Sequence, residues 1–255
     1  MAFELVTIPC LSDNYAFLLH NDETMETVLA DAPEAAPILK ALDDRDWQLS
    51  EILLTHHHAD HIDGVAAIRE EHFCRVVGAA ADRQRLPPLD IEVEPGSLIR
   101  VCGTDCEVIE VSGHTVGHVA FHLPEAEVAF TGDSLMALGC GRLFEGQPAQ
   151  MWESLLRLRA LPEKTRICSG HEYTASNAAF ALTVDPSNAA LVARAAAVQQ
   201  ARANGLATVP SSLAEEIATN PFLRADDPDV AATVGLVGAE APQIFAEVRS
   251  RKDNF

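Results

Sequence analysis

At four places along this chain of 255 residues a short, mostly apolar run gives way, through a Ser or Thr, to a histidine or an aspartate. Ile52-Leu53-Leu54 leads into Thr55-His56-His57-His58-Ala59-Asp60-His61, and residues 108–111 lead into Ser112-Gly113-His114. Residues 128–130 lead into Thr131-Gly132-Asp133, and Ile167-Cys168 leads into Ser169-Gly170-His171. Apolar β-formers bounded by Gly, Ser and Asp read as strands. A strand that ends in donor side chains fixes them on a rigid element while the loop opens to solvent. The fold must therefore present several strand ends, each carrying a group that can bind a metal.

In extended backbone, residues two apart point the same way, so His56 and His58 can meet one ion while His57 points away. Asp60 and His61 lie beyond the strand end and can turn towards a second ion. With His114, Asp133 and His171 the set holds five imidazoles and two carboxylates, more than one zinc can use. Two divalent ions sharing a bridging carboxylate would use all of them; zinc suits such donors, and iron or manganese can replace it. His20, His72 and His122 read as ordinary side chains, and His118, which opens a strand, as structural.

Strand-like runs cover residues 3–8, 16–20, 27–30, 51–55, 75–77, 107–111, 119–122, 128–130 and 165–168, with helical patterns at 34–43, 64–72 and 150–161. Hairpin-linked strands mixed with helices predict two packed sheets covered by helices rather than a doubly wound sheet. After residue 173 the chain turns alanine-rich, with helices expected over 178–203, 211–219 and 241–252. The reading is a mixed α/β domain over residues 1–172 and an all-α domain over 173–255.

The formal net charge is −20, from 18 basic and 38 acidic residues. A field of that sign repels phosphate backbones and anionic lipid, which argues against nucleic-acid and membrane partners. No apolar run approaches the roughly 20 residues of a membrane span, and the first ten residues do not read as a secretory signal. Six scattered cysteines without a CxxC pair suit a reduced, cytoplasmic protein. Arg249, Arg251 and Lys252 crowd the C-terminus. From the residues alone they are either a patch for an anionic ligand or a cationic last turn complementing a helix dipole.

The order HHHADH, SGHTVGH, FTGDSL and SGHEYT resembles the metallo-β-lactamase superfamily, which implies an αββα sandwich. Gly139-Cys140-Gly141-Arg142-Leu143-Phe144-Glu145-Gly146, Asn220-Pro221-Phe222-Leu223-Arg224 and Arg249-Ser250-Arg251-Lys252-Asp253 narrow it to the glyoxalase II, or hydroxyacylglutathione hydrolase, family, nearly end to end. The resemblance implies His56, His58 and His114 on one metal and Asp60, His61 and His171 on the other, with Asp133 bridging. For glutathione it implies Arg142, Phe144, Tyr173, Arg249 and Lys252. Phe144 stands where some members carry Tyr, so a polar contact is lost.

The implied reaction is hydrolysis of S-D-lactoylglutathione to D-lactate and glutathione, the second step of methylglyoxal disposal, by a monomer. Two cations about 3.5–4 Å apart would hold a water, lower its pKa to about 7 and turn the hydroxide on the thioester carbonyl. Asp60 and Asp133 then shape the catalytic centre around that hydroxide. Three rivals are a glutathione persulfide dioxygenase, another hydrolase of the superfamily such as a lactonase, and a non-catalytic metal-binding module. Residues 174–255 argue against the first and the GCGRLFEG and RSRKD segments against the second. The complete set of seven donors argues against the third.

Overall fold

The computed structural model of the chain describes residues 3–255. They form two compact units, one running to Glu110 with Gly117–Gly132 added, the other made of Val111–Val116 and Asp133–Phe255.

The first unit contains two sheets. β1 (Phe3–Cys10), β2 (Asn14–Asn21) and β3 (Glu26–Ala30) form an antiparallel meander, to which β4 (Leu49–Leu54), β5 (Arg75–Ala79) and β6 (Ile91–Val93) add in parallel. Parallel neighbours need a crossover. α1 (Ala35–Asp43) lies in the first, and α2 (Ala59–Ile62) with α3 (Val65–Glu71) in the second. The second sheet is antiparallel through β7 (Leu98–Val101), β8 (Thr104–Glu110), β9 (Val119–Leu123) and β10 (Val128–Gly132).

β4 reads Leu-Ser-Glu-Ile-Leu-Leu, and its last three residues are fully buried, as a strand covered on both faces requires. Leu18, Leu29, Ile52 and Leu54 pack with Ile38 and Leu42 of α1 and with Val65 and Ile68 of α3. The opposite face meets the second sheet, where the Phe17 and Phe130 rings lie 6.1 Å apart. Burial of each such side chain contributes about 1.5–3 kcal/mol, which pins β4 and the histidine loop behind it. The packed sheets with helices on the outer face match the sequence expectation.

In the second unit, β11 (Leu135–Met136) and β12 (Gly139–Cys140) close a tight hairpin before α4 (Pro148–Arg159). β13 (Arg166–Ser169) pairs antiparallel with the two-residue β14 (Ser211–Ser212), a strand the sequence reading did not anticipate. Between them lie α5 (Thr174–Val184) and α6 (Ala189–Ala203); α7 (Leu213–Thr219), α8 (Pro228–Val234) and α9 (Ala241–Asp253) follow. The single helix expected over 178–203 is thus two. Pro186 disfavours helix at Asp185, and the Asn188 side chain restarts it by accepting from Leu191 N at 3.1 Å. Trp152 of α4, Phe222 and Phe245 of α9 form an aromatic chain with centroids 5.9–6.0 Å apart. Cys102 sits in a turn at φ 51°. No helix among the described residues is long and apolar enough to cross a membrane.

Candidate metal centre

In the first unit the donors follow β4. His56 Nε2 lies 3.1 Å from His58 Nδ1, and the donor nitrogens of His56 and His61 are within 4.8 Å of each other. Asp60 and His61 fall on the one-turn helix α2, with His61 Nε2 4.0 Å from Asp60 Oδ2. Asn14 steadies Asp60, donating to its carbonyl at 3.0 Å and to its carboxylate at 3.1 Å.

Behind the imidazoles stands Asp31, buried and at φ 55°, a left-handed conformation that aspartate tolerates. Its Oδ1 accepts from Thr55 N at 2.9 Å; its Oδ2 accepts from the Thr55 hydroxyl at 2.9 Å and from His61 Nδ1 at 2.8 Å. The Thr55 hydroxyl has one hydrogen and gives it to Asp31, so at its 3.0 Å contact with His56 Nδ1 it accepts. His56 and His61 therefore both carry their proton on Nδ1 and present Nε2 as a lone pair. One carboxylate sets two ligand tautomers, directly for His61 and through Thr55 for His56. Gly132 permits this crowding: it sits at φ 48°, and a Cβ there would stand 2.4 Å from Thr55 Oγ1.

In the second unit, Asp133 Oδ2 faces His171 Nε2 at 3.3 Å and His114 Nε2 at 3.5 Å. His114 Nδ1 donates to the Arg142 carbonyl at 2.8 Å, so its Nε2 also presents a lone pair, here towards a carboxylate oxygen. Two acceptors turned on one another suit a cation between them. Ligands about 2.0–2.1 Å from a tetrahedral ion stand about 3.3–3.4 Å apart, close to both spacings. One oxygen facing two histidines also suits a carboxylate shared between two ions. The donor set therefore fits divalent metal.

His114 opens onto a cavity of about 420 Å³ within the second unit, lined also by Arg142, Phe144, Tyr173, Arg249 and Lys252. Phe144 is 64% exposed and sits edge-on to His114 at 5.2 Å, while Tyr173 stacks on His171 at 4.7 Å. Lys252 Nζ donates to the Ser176 carbonyl and hydroxyl at 3.3 and 3.2 Å. Burial, then Arg249 and Arg142, hold its pKa below the ordinary lysine value. Arg249 is buried, donates to the Cys140 carbonyl at 2.8 Å and to Asp253 at 2.9 Å, and lies over the Phe222 ring. Arg251 turns elsewhere, to Glu247 and the Val234 carbonyl, and leaves the cationic cluster. Cys140 also lines the cavity; burial pushes its thiol up to about 11 against the pull of Arg249.

The structure thus gathers His56, His58, Asp60 and His61 in one unit, and His114, Asp133 and His171 with all five expected glutathione residues in the other. His57 points away, its Nδ1 3.0 Å from the buried carboxylate of Asp82. His118 stacks on His56 at 4.6 Å. Sequence reasoning missed Asp31, Thr55 and Asn14. The signal for Asp31 was present: Val28-Leu29-Ala30-Asp31 is a fifth apolar run ending in a carboxylate.

Comparison with known proteins gives two family models that meet within the chain. One, described as the metallo-beta-lactamase superfamily, matches residues 23–171; the other, hydroxyacylglutathione hydrolase C-terminus, matches residues 172–255. A hydroxyacylglutathione hydrolase of Ruegeria pomeroyi is 59% identical over 255 residues, spanning the whole of both chains. Among solved structures, the BLEG-1 B3 metallo-beta-lactamase is similar in fold, with a TM-score of 0.68 at 22% identity over 86% of this chain and 99% of that one. TTHA1623, determined in a di-iron-bound form, has a TM-score of 0.60 at 28% identity over 86% of this chain and 98% of that one.

Proposed function

The chain belongs to the hydroxyacylglutathione hydrolases of the metallo-β-lactamase superfamily, and from that membership we propose that it cleaves S-D-lactoylglutathione to D-lactate and glutathione, the second step of methylglyoxal disposal. It is a thioester hydrolase acting on hydroxyacylglutathione. The observation that carries the reading on this chain's own geometry is the cavity, which joins a metal-type histidine, His114, to the cations Arg142 and Lys252. A glutathione thioester needs both: positive charge for its carboxylates and a centre that attacks its carbonyl.

The two groups of donors would hold one pair of divalent ions, with His56, His58 and His114 for the first, Asp60, His61 and His171 for the second, and Asp133 for both. The di-iron form of a similar structure supports a pair rather than a single ion; zinc is the metal expected here, with iron or manganese able to replace it. Bound divalent ions supply a water of lowered pKa and positive charge for a developing oxyanion. The protein's residues do the rest. Asp31 and Thr55 keep the protons of His61 and His56 off the ligating nitrogens, and the Arg142 carbonyl does the same for His114. Asp60 and Asp133 bring negative charge that holds the ions and orients the attacking water. Arg142 and Lys252 bind the peptide carboxylates, and Phe144, Tyr173 and Arg249 line the same cavity and receive the rest of the glutathione part. A thiolate leaves readily, so no strong general acid is needed.

The six buried thiols suit a reducing cytoplasm, and the net charge of −20 keeps copies apart as monomers. The test is thioester loss from S-D-lactoylglutathione by the purified chain, beside an oxygen electrode with glutathione persulfide and a metal assay. Thioester loss without oxygen uptake and about two metals per chain is the expected result. Oxygen uptake with a single iron would instead make the protein a dioxygenase.

A further inference from the structure

Between Asp133 and Arg142 the chain makes the β11–β12 hairpin, and the helical part of the second unit holds that hairpin in an unusual way. Each of the five consecutive residues 136–140 has a backbone group bound by a helical-region side chain. Asn220 Nδ2 donates to the Met136 and Gly139 carbonyls at 3.1 and 3.0 Å. Asn177 donates to the Ala137 carbonyl at 3.0 Å, Glu216 accepts from Leu138 N at 2.9 Å, and Arg249 donates to the Cys140 carbonyl at 2.8 Å. All four side chains are buried, Glu216 and Asn220 completely.

Such an arrangement is costly unless complete. The buried Glu216 carboxylate is met by Leu138 N, by Asn220 at 3.0 Å and by the Arg194 guanidinium. Removing any of them leaves charge or a donor stranded away from water. The turn itself is strained: Leu138 has φ 56°, a left-handed backbone that costs a branched residue about 1–2 kcal/mol. Its side chain is plugged into a cluster with Ala178, Ala181 and Leu191. A network of this kind specifies one conformation of the hairpin, and strain kept in place by surrounding contacts points to a use for that conformation.

The use is visible at the two ends of the hairpin. Asp133 lies two residues before it, and Gly141 N returns to Ser134 O at 3.1 Å. Gly141 lies so near Asp133 that a Cβ on it would stand 2.0 Å from the Asp133 carbonyl. The next carbonyl, of Arg142, accepts from His114 Nδ1. A shift of the hairpin would therefore move the carboxylate and rotate the imidazole that face each other across 3.5 Å. We infer that Asn220, seconded by Glu216, is a positioning residue for the metal-ligating pair Asp133 and His114, through the hairpin that separates them in sequence. The helical region would then shape the metal centre as well as the substrate cavity. The inference rests on the metal-dependent hydrolase reading above.

The test compares Asn220→Ala with Leu191→Ala, which loosens the apolar cluster around Leu138 without removing a hairpin hydrogen bond and so separates the packing of the hairpin from its hydrogen-bond network. For each full-length variant, zinc affinity is measured by competition with a chromophoric chelator, thermal unfolding by circular dichroism, and kcat and KM on the thioester. Asn220→Ala is expected to weaken zinc binding at least tenfold, the usual scale for groups that orient ligands, and to lower kcat more than it raises KM. Leu191→Ala should melt earlier with zinc affinity within twofold of the parent. Glu216→Gln, which keeps an acceptor for Leu138 N, should rescue most of the affinity lost in Glu216→Ala. Zinc affinity unchanged in Asn220→Ala, or reduced equally in Leu191→Ala, would reduce the network to a stability element and overturn the inference. Should Asn220→Ala not fold, Asn177→Ala removes only the Ala137 contact, and a two- to tenfold loss of affinity is expected from about one hydrogen bond. The zinc measurement uses no substrate. Absence of thioester turnover in the parent chain would therefore sink the hydrolase reading without deciding this one.

Discussion

Replacing Asp31 with Asn probes how much of the metal site is made by a residue that does not touch metal. Asn tolerates the left-handed backbone at φ 55°, so the substitution leaves the chain path alone, whereas Ala would add strain there. The carboxylate accepts three hydrogen bonds, from Thr55 N, Thr55 Oγ1 and His61 Nδ1. An amide can accept on one side only. If its oxygen stays with Thr55 N, its NH2 faces the Thr55 hydroxyl and His61 Nδ1, and His61 must move its proton to Nε2, the nitrogen an ion needs. If the amide flips, Thr55 N is left facing a donor. In both cases His61 loses a charged acceptor that raises its basicity. The expected loss is 10- to 100-fold in zinc affinity, or about 1.4–2.7 kcal/mol. Chelator competition measures it, with circular dichroism showing that the variant is folded. An Asn variant that binds zinc within twofold of the parent would refute the tautomer argument.

Asp133→Ala removes the one oxygen that faces both His114 and His171; metal content by elemental analysis should fall and turnover vanish. Lys252→Ala should raise KM at least tenfold with kcat changed less than threefold, because the amine grips the part of the substrate remote from the reacting carbonyl. The lysine is charged below its pKa, and that pKa is lowered in the fold. KM should therefore stay flat near neutrality and rise on the alkaline side, at a lower pH than an ordinary lysine would give, and this rise should be absent from Lys252→Ala. Phe144→Tyr restores a hydroxyl at the mouth of the cavity and should lower KM about two- to tenfold at constant kcat, the worth of one hydrogen bond.

What could be read from the sequence was whatever depends on local pattern. The strand ends at residues 54, 111, 130 and 168 were visible because apolar β-formers give way abruptly to polar loop residues. β6 and β7 were not: Ile91–Val93 and Leu98–Val101 are short and interrupted by charges, and their pairing depends on partners far along the chain. The break between α5 and α6 was legible in Asp185-Pro186 and was overridden by the alanine content around it. α8 likewise had its signals, an Asp227 cap with Pro228 behind it and Gly235 at the far end. Asn220 lay beyond any local reading, since its importance comes from the carbonyls it meets 81 and 84 residues away; the apolar run before Asp31 marks the position but not the Thr55 and His61 partners it serves.

The burial of Cys140 bears on the survival of the catalyst. A thiolate beside a bound thioester would exchange with it, taking the acyl group onto the protein and releasing glutathione, and the cavity would be blocked by its own substrate. With burial pushing the thiol up to about 11, the protonated, weakly nucleophilic form predominates at neutral pH. Arg249 binds the same residue's carbonyl and opposes the effect of burial without overcoming it. A protein that works on an activated acyl donor in a pool of free thiol thereby keeps its own sulfur out of the exchange.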